Sequence, residues 1–147
     1  MLLVWPGLVS AMLSAQPVQS NIAAIPVSAL IQPKDLVTTL KTSPQPLVLN
    51  VGPRIFYAQA HVPGAEYVGA AGTSEGLEAL RKRLEAVDKN RIIIVYCGCC
   101  PWEKCPNIRP AFKELQNLGF THVKALYIRS NFGTDWVDKG YPTEKGR

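Results

Sequence analysis

Residues 91–106 read RIIIVYCGCCPWEKCP, and the fold of the chain can be worked out from this stretch. The first part, Arg91 to Tyr96, is apolar on both faces, as a central parallel strand is when helices cover both sides of its sheet. The second part contains all four cysteines of the protein, and a segment with helical spacing begins at Ile108. The thiols therefore lie in one loop between a strand and a helix, which makes this loop the candidate functional site.

On either side of this strand, short apolar runs alternate with segments of helical periodicity. The spacing predicts helices over 34–40, 73–87 and 108–118, strands over 47–49, 66–68, 91–96 and 122–128, and an edge strand over 25–27. This alternation indicates an α/β fold in which helices flank both faces of a central parallel sheet. Ligands of such folds bind at the carboxyl ends of the strands, and Cys97 lies at such an end.

The composition fits a globular domain with a core of its own. The chain has 147 residues, of which 47% are hydrophobic and 18% charged, with a formal net charge of +5. The positive charge favours anionic partners, but the basic residues are scattered and form no compact stripe with interleaved aromatics. We therefore expect a small anionic substrate and no nucleic acid.

The N-terminal segment suggests export. Met1 to Ala15 has no charged side chain, is too short to span a bilayer and ends in small residues, which is typical of a secretory signal peptide. The positive residues usual before such a segment are missing. We interpret residues 1–20 as a signal peptide or apolar N-terminal segment and 25–147 as the domain. The expected location is periplasmic or secreted, without a stable membrane span after processing; the alternative is a cytoplasmic protein with an apolar tail packed on the domain.

The loop suits a reactive thiolate. Cys97 directly follows the strand, and a loop that curls into a helix directs several backbone N–H groups at one point, which lowers the pKa of a thiol there. Gly98 can adopt backbone angles that are closed to other residues. Such a thiolate can attack a sulfane sulfur and hold it as a persulfide. Lys104 would attract an anionic donor such as thiosulfate, whereas Arg109 is interpreted as a solvated surface charge.

Several motifs together resemble the single-domain rhodaneses, a family of sulfurtransferases. The similar pieces are Leu49-Asn50-Val51, Ala60-His61-Val62-Pro63-Gly64-Ala65, Val95-Tyr96-Cys97, Leu118-Gly119-Phe120 and Gly140-Tyr141-Pro142 after Trp136. The resemblance implies a rhodanese-like sheet and a persulfide on Cys97. It also implies thiosulfate or a polysulfide as donor, a thiol or cyanide as acceptor, and no cofactor.

The differences from the family fall in the loop. The segment from Cys97 to the helix is longer than in a typical member and carries three further cysteines and Trp102, while Asn50 and Gly52 replace the usual aspartate and arginine. Besides Cys97 as the catalytic residue, we predict that a group of loop residues binds substrate: Gly98, Cys99, Cys100, Trp102 and Lys104. Cys99, Cys100 and Cys105 are predicted to be resolving or accessory thiols.

Other functions of the loop remain open from the sequence. Cys97 and Cys100 form a C-x-x-C pair, so a thiol–disulfide oxidoreductase is one alternative, although the His-Val-Pro-Gly turn argues against a thioredoxin-like fold. A non-catalytic module that binds a metal or a partner is another. We predict no metal ligands, because the adjacent Cys99 and Cys100 suit a closed tetrahedral zinc site poorly. A disulfide that stiffens the loop of an exported protein is the structural alternative.

The remaining histidines and tryptophans are assigned structural roles. His61 is predicted to order the Pro-Gly turn through backbone hydrogen bonds rather than to act in catalysis, and His122 to lie at the surface. Trp136 is predicted to pack in the core or at its rim.

Overall fold

The structure, a computed structural model, describes residues 24–147. The predicted signal peptide over residues 1–20 lies outside the described residues. Nine regular elements follow in chain order among the described residues: β1 (Leu30–Ile31), α1 (Pro33–Thr39), β2 (Leu47–Asn50), α2 (Arg54–Gln59), β3 (Glu66–Tyr67), α3 (Ser74–Leu84), β4 (Ile93–Tyr96), α4 (Ile108–Asn117) and β5 (Val123–Leu126). Short 3-10 turns cover Val27–Ala29 and Trp102–Lys104, and a single π-helical turn covers Gly133–Val137.

The strands form one parallel sheet in the order β1-β5-β4-β2-β3. Strand β4 lies at its centre, where Val95 pairs with Leu49 of β2 on one side and with Ala125 of β5 on the other. This arrangement confirms the predicted α/β fold. None of the helices within residues 24–147 is long and apolar enough to cross a membrane.

Alternate side chains of β4 enter two different hydrophobic cores. Ile93 and Val95 pack in a core with α3 and α4, and Ile94 and Tyr96 pack in a second core with Leu36 of α1 and other residues. All four β4 side chains are at most 1% exposed. Both faces of β4 are therefore apolar for the reason predicted from the sequence: the strand is buried on both sides of the sheet.

The ends of the long helices follow their local chemistry. The Thr73 side chain caps α3 by accepting a hydrogen bond of 3.0 Å from the backbone N–H of Gly76. Gly119, at a φ of +86°, follows the end of α4, as the sequence predicted for a C-terminal cap. The cap at the start of α3 and the glycine after α4 thus define one end of each helix that packs in the core with Ile93 and Val95.

The structure corrects several boundaries. The predicted strand over 25–27 is wrong: Val27 begins a 3-10 turn and is 84% exposed, and the edge strand is Leu30–Ile31. Helix α3 ends at Leu84 rather than near Val87. Helix α2 was not predicted, because six residues with a single buried side chain, Tyr57, are too few to show a helical period.

Candidate functional site

The loop of thiols begins at the carboxyl end of the central strand. Tyr96 is the last residue of β4, and its carbonyl accepts a 2.8 Å hydrogen bond from the backbone N–H of Val51 after β2. Cys97 follows directly and is 5% exposed. Its backbone position is therefore set by the sheet, as the sequence indicated.

Asn50, the last residue of β2, and Gly52, which follows that strand, hold Cys97 from the side. The Asn50 side chain is buried; its Nδ2 donates to the Cys97 carbonyl at 3.5 Å, and its Oδ1 accepts from the Gly52 N–H at 3.0 Å. A Cβ on residue 52 would lie 2.9 Å from Cys97 Sγ and 2.8 Å from the Cys97 carbonyl oxygen. Gly52 thus leaves the space that the Cys97 side chain occupies. The sequence marked both residues as departures from the family but assigned them no role.

Gly98 turns the chain away from the strand. Its φ is +75°, and a Cβ there would come within 2.9 Å of the Phe132 Cβ. Its carbonyl accepts a 2.9 Å hydrogen bond from the Phe132 backbone N–H, which ties the loop to the segment after β5. The conformational freedom expected of Gly98 is used at this position.

The four cysteine side chains converge. All four Sγ atoms lie within 4.8 Å of one another, and the Sγ atoms of Cys97 and Cys99 are 3.2 Å apart. All four are free thiols, Cys97 and Cys105 buried and Cys99 and Cys100 partly buried. The loop therefore brings the catalytic residue and all three accessory thiols of the sequence analysis into one cluster, which we call the sulfur cluster.

Asn107 is a site residue that the sequence analysis missed. It is 4% exposed, and its Nδ2 donates to Cys97 Sγ at 3.3 Å and approaches Cys99 Sγ at 4.0 Å. Its Oδ1 accepts a 2.8 Å hydrogen bond from the Gly72 N–H, so the amide has a fixed orientation. An asparagine before a helix usually signals an N-cap, but this side chain turns to the sulfurs instead.

The start of α4 faces Cys105 rather than Cys97. The nearby Cys97 thiol and the backbone N–H groups of Asn107 and Ile108 favour the charged form of the Cys105 sulfur. Together they outweigh burial and lower the Cys105 pKa to about 6. The first thiolate of the cluster therefore forms on Cys105.

Cys97 shows the opposite shift, so the expectation of a lowered pKa there is wrong for the free cluster. Its hydrogen bond to Cys105 and its burial raise the Cys97 pKa, although the Cys99 backbone N–H opposes them. Burial and the neighbouring cysteines likewise raise the pKa of Cys100 to about 12. The physical reason is the length of the loop, which places Cys105 between Cys97 and the helix N-terminus.

The polar and aromatic residues of the loop form its outer wall. Trp102 packs edge-on against Tyr127 at 5.1 Å between ring centroids. Arg109 donates to the Trp102 carbonyl at 3.1 Å and lies 3.5 Å from Glu103, so it fastens the loop to α4 rather than standing free in solvent. Lys104 is exposed on the 3-10 turn.

Two cavities adjoin the sulfur cluster. A cavity of about 300 Å³ opens beside Cys99 and is lined by Phe56, Gln59, Asn131 and Phe132 among others. A much smaller one, about 10 Å³, lies between Cys97, Cys100 and Cys105. A cavity of about 370 Å³ around Asp88 and Ile92 lies before the start of β4 and contains no thiol. The chemistry is therefore gathered at the carboxyl ends of the strands.

The residues assigned structural roles lie away from the sulfurs. His61 is buried and stacks on Tyr57, its Nδ1 is 2.8 Å from the Tyr57 carbonyl, and its backbone pairs with that of Glu144. Trp136 is fully buried, and its Nε1–H donates to the Pro142 carbonyl at 2.8 Å. His122 is exposed. These contacts agree with an ordering role for His61 and a packing role for Trp136.

Comparison with known proteins identifies a family. The family model for the Rhodanese-like domain matches residues 33–127. A rhodanese-like domain from Anabaena sp. is 27% identical with a TM-score of 0.51, and the match covers 74% of this chain and 95% of that chain. A Bacillus halodurans protein is 22% identical with a TM-score of 0.62, covering 80% of this chain and 77% of that chain.

A thiosulfate sulfurtransferase from Pseudomonas aeruginosa also has this fold. It is 20% identical with a TM-score of 0.57, and the match covers 80% of this chain but 20% of that chain. No curated protein is significantly similar to this chain.

Proposed function

This chain belongs to the Rhodanese-like domain family, and on that premise we propose that it is a sulfurtransferase in which Cys97 carries sulfane sulfur as a persulfide. The observation that carries the proposal is the fixed position of Cys97. Its backbone is set by β4 and Asn50, and its sulfur accepts hydrogen bonds from the Asn107 amide and the Cys99 backbone N–H. A nucleophile held in one geometry reacts faster than a mobile one.

The proposed reaction has two steps. Cys97 gives its proton to the Cys105 thiolate and its sulfur attacks the sulfane sulfur of thiosulfate, the S–S bond of the donor breaks, and sulfite leaves with the electron pair. A thiophilic acceptor, cyanide or a thiolate, then attacks the outer sulfur of the persulfide and releases the Cys97 thiolate. The N–H donors on Cys97 Sγ stabilise the negative charge that develops on this sulfur as it attacks and again as the acceptor releases it.

The donor is proposed to enter from the Cys99 side. The cavity of about 300 Å³ beside Cys99 is large enough for a small anion, whereas Cys97 itself is 5% exposed. Lys104, on the exposed turn of the loop, adds positive charge to the loop. A polysulfide fits the same description, and the chemical class shared by these donors is a small anion with a sulfane sulfur.

The 3.2 Å separation of the Cys97 and Cys99 sulfurs favours a second way for sulfur to leave. A Cys99 thiolate attacks Cys97 Sγ, the persulfide S–S bond breaks, and hydrosulfide leaves with the electron pair while a Cys97–Cys99 disulfide forms. An external dithiol must then reduce this disulfide to complete the cycle. In this route Cys99 acts as the resolving thiol, and the sulfane sulfur is reduced to sulfide.

Export to the periplasm or the medium is proposed from the sequence of residues 1–15 alone. Expression of the full chain with a C-terminal tag in a bacterium, followed by fractionation, tests it. Shortened protein outside the cytoplasm supports export. Full-length protein confined to the cytoplasm contradicts it.

Mass spectrometry of intact protein tests the transferase. Reduced, metal-free protein is incubated with thiosulfate, and Cys97→Ser is treated in parallel. We expect the wild type to gain one sulfur atom and to lose it when cyanide is added. The Cys97→Ser variant should gain none. Ready disulfide exchange without sulfur gain from thiosulfate or polysulfide would instead indicate the thiol–disulfide oxidoreductase.

A further inference from the structure

The four sulfur atoms of the sulfur cluster lie close enough together to bind a metal ion. We propose that Cys97, Cys99, Cys100 and Cys105 together bind one Zn²⁺ ion in a closed site of four thiolates. Three features support this site: the separations of the four sulfur atoms, the small cavity that three of the cysteines line, and the amide that orients two of the sulfurs.

The sulfur separations fit a tetrahedral ion. With Zn–S bonds of about 2.3 Å, the sulfurs of a tetrahedral site are about 3.8 Å apart. In the cluster the Cys97–Cys99 separation is 3.2 Å and no pair exceeds 4.8 Å, so the values lie on both sides of the tetrahedral one. Changes of about 1 Å or less in the sulfur separations therefore complete the site without a change of fold.

The adjacency of Cys99 and Cys100 does not prevent this arrangement. In a straight extended segment, neighbouring side chains point to opposite sides. Here the chain turns at Gly98, which has a φ of +75°, and both cysteines lie in the bend that follows. Their sulfurs consequently belong to the same cluster as those of Cys97 and Cys105. The sequence predicted no metal ligands because Cys99 and Cys100 are adjacent, and this adjacency is no obstacle in the folded loop.

The space between the sulfurs suits a single small ion. The cavity lined by Cys97, Cys100 and Cys105 has a volume of about 10 Å³, which is the scale of one water-sized sphere. Apolar side chains line the rest of it, those of Trp102, Ile108, Leu126 and Ile128, and Cys99 lies next to this cavity in sequence but does not line it. A small site rich in sulfur selects a thiophilic cation, and a tetrahedral set of four thiolates is typical of structural zinc.

Asn107 supplies the outer contacts that thiolate ligands commonly have. Its Nδ2 lies 3.3 Å from Cys97 Sγ and 4.0 Å from Cys99 Sγ, and the Gly72 N–H fixes the amide from the other side. Such outer contacts orient the ligands and offset part of their negative charge. A Cβ on Gly72 would lie 2.8 Å from Asn107 Oδ1, so this support depends on glycine at position 72.

Zinc binding and sulfur transfer exclude each other if both proposals are correct. Cys97 cannot be a zinc ligand and carry a persulfide in the same molecule, so Zn²⁺ would hold the transferase inactive until a chelator or a competing thiol removes it. This consequence alone rests on the proposed function. The metal site itself does not depend on it.

Cobalt spectroscopy tests the site without any assay of activity. Reduced full-length protein is titrated with Co²⁺ in the absence of oxygen. We expect one equivalent to give the intense visible bands of tetrahedral Co²⁺ and a sulfur-to-cobalt charge-transfer band in the near ultraviolet. One equivalent of Zn²⁺ should abolish these bands, and intact-mass spectrometry under native conditions should find one zinc per chain.

Two variants make the test specific. Cys100→Ser removes one ligand, and its affinity for Zn²⁺ should fall by at least the 10- to 100-fold typical of losing an outer contact. His122→Gln is the control, because it removes an exposed metal-binding side chain outside the cluster and should leave the Zn²⁺ affinity unchanged. Circular dichroism of both variants verifies that they are folded.

The outcomes separate the two proposals. Absence of the thiolate bands, or equal Zn²⁺ affinity in Cys100→Ser and wild type, overturns the metal site and leaves the transferase untouched. Failure of chelator-treated protein to gain sulfur from thiosulfate overturns the transferase and leaves the metal site in place. Sulfur gain that persists with one equivalent of bound Zn²⁺ overturns the mutual exclusion.

Discussion

Cys97 and Cys105 lie at the two ends of the same loop, and the fold acts differently on each: it fixes the position of one and lowers the pKa of the other. Cys97 follows β4, and Asn50, Gly52 and Asn107 surround it, so its position is fixed. Cys105 precedes α4, and the backbone N–H groups at the start of that helix lower its pKa. One end of the loop thus positions a sulfur, and the other end stabilises a negative charge.

This difference shows that a strand end and a helix start need not serve the same thiol. In a short loop both would act on the residue after the strand. Here seven residues separate Cys97 from Cys105, and the helix N-terminus acts on Cys105. Each of the two thiols shifts the pKa of the other, that of Cys97 upward and that of Cys105 downward, so the two ends of the loop are coupled.

The largest effect is expected from filling the space beside Cys97. In Gly52→Ala the new Cβ would lie 2.9 Å from Cys97 Sγ, so the sulfur must move. Because a displacement of about 1 Å can slow a positioned reaction about 100-fold, we expect a loss of that order in thiosulfate turnover. Overpacking should also lower the free energy of unfolding by about 1–3 kcal/mol, measured in urea. Wild-type turnover in the folded variant would show that Gly52 does not position Cys97.

A smaller loss is expected from removing the amide donor. Asn107→Asp keeps an oxygen for the Gly72 N–H but has no N–H for Cys97 Sγ and adds a negative charge. A hydrogen bond to a charged group contributes about 1.5–3 kcal/mol, so sulfur loading should slow by about 10- to 100-fold. Asn117→Asp, at the exposed end of the same helix, is the control and should load sulfur at the wild-type rate.

The lowered pKa of Cys105 is tested by titration. In reduced, metal-free protein, thiolate absorbance should rise in a first step near pH 6, and Cys105→Ser should lack this step. Because the folded pKa of Cys105 lies below its ordinary value of 9.0, the stability it adds is full above pH 9 and disappears as the pH falls through 6. Wild type should therefore gain stability over Cys105→Ser between pH 6 and pH 9. A first step unchanged in the variant would place the thiolate elsewhere.

The smallest effect is expected at the rim of the loop. Lys104 is exposed, so its attraction for an anionic donor is weakened by water and salt. Lys104→Ala should raise the KM for thiosulfate by about 2- to 5-fold without changing kcat, and the difference should shrink at high salt. Lys113→Ala, exposed on α4, serves as the matched control. A fall in kcat would mean that Lys104 takes part in the chemistry.

The sequence was most informative where one pattern repeats along the chain. The run that ends at Tyr96 predicted the central strand because burial on both faces leaves every residue apolar. The spacing of Ile108, Phe112 and Leu115 predicted α4, since those side chains share one buried face. Helix α2 has no such pattern and was missed.

The site could be located from the sequence, but its electrostatics could not. Spacing shows that the four cysteines share a loop, yet it does not show that all four sulfurs converge or that Asn107 reaches Cys97. Which thiol receives the helix N–H groups depends on the path of residues 98–107, a path that three-dimensional contacts with Arg129 and Phe132 determine. Those contacts join residues about 30 positions apart, beyond the reach of local patterns.

Locating the first sulfur that the protein accepts tests most directly whether Cys97 is the reacting thiol. Metal-free protein is loaded with less than one equivalent of thiosulfate, alkylated and digested with trypsin, which cleaves after Lys104 and so separates residues 92–104 from 105–113. We predict the added sulfur in peptide 92–104, assigned to Cys97 by fragmentation. Sulfur found first on Cys105, in peptide 105–113, would contradict the account by showing that charge rather than position selects the reacting thiol.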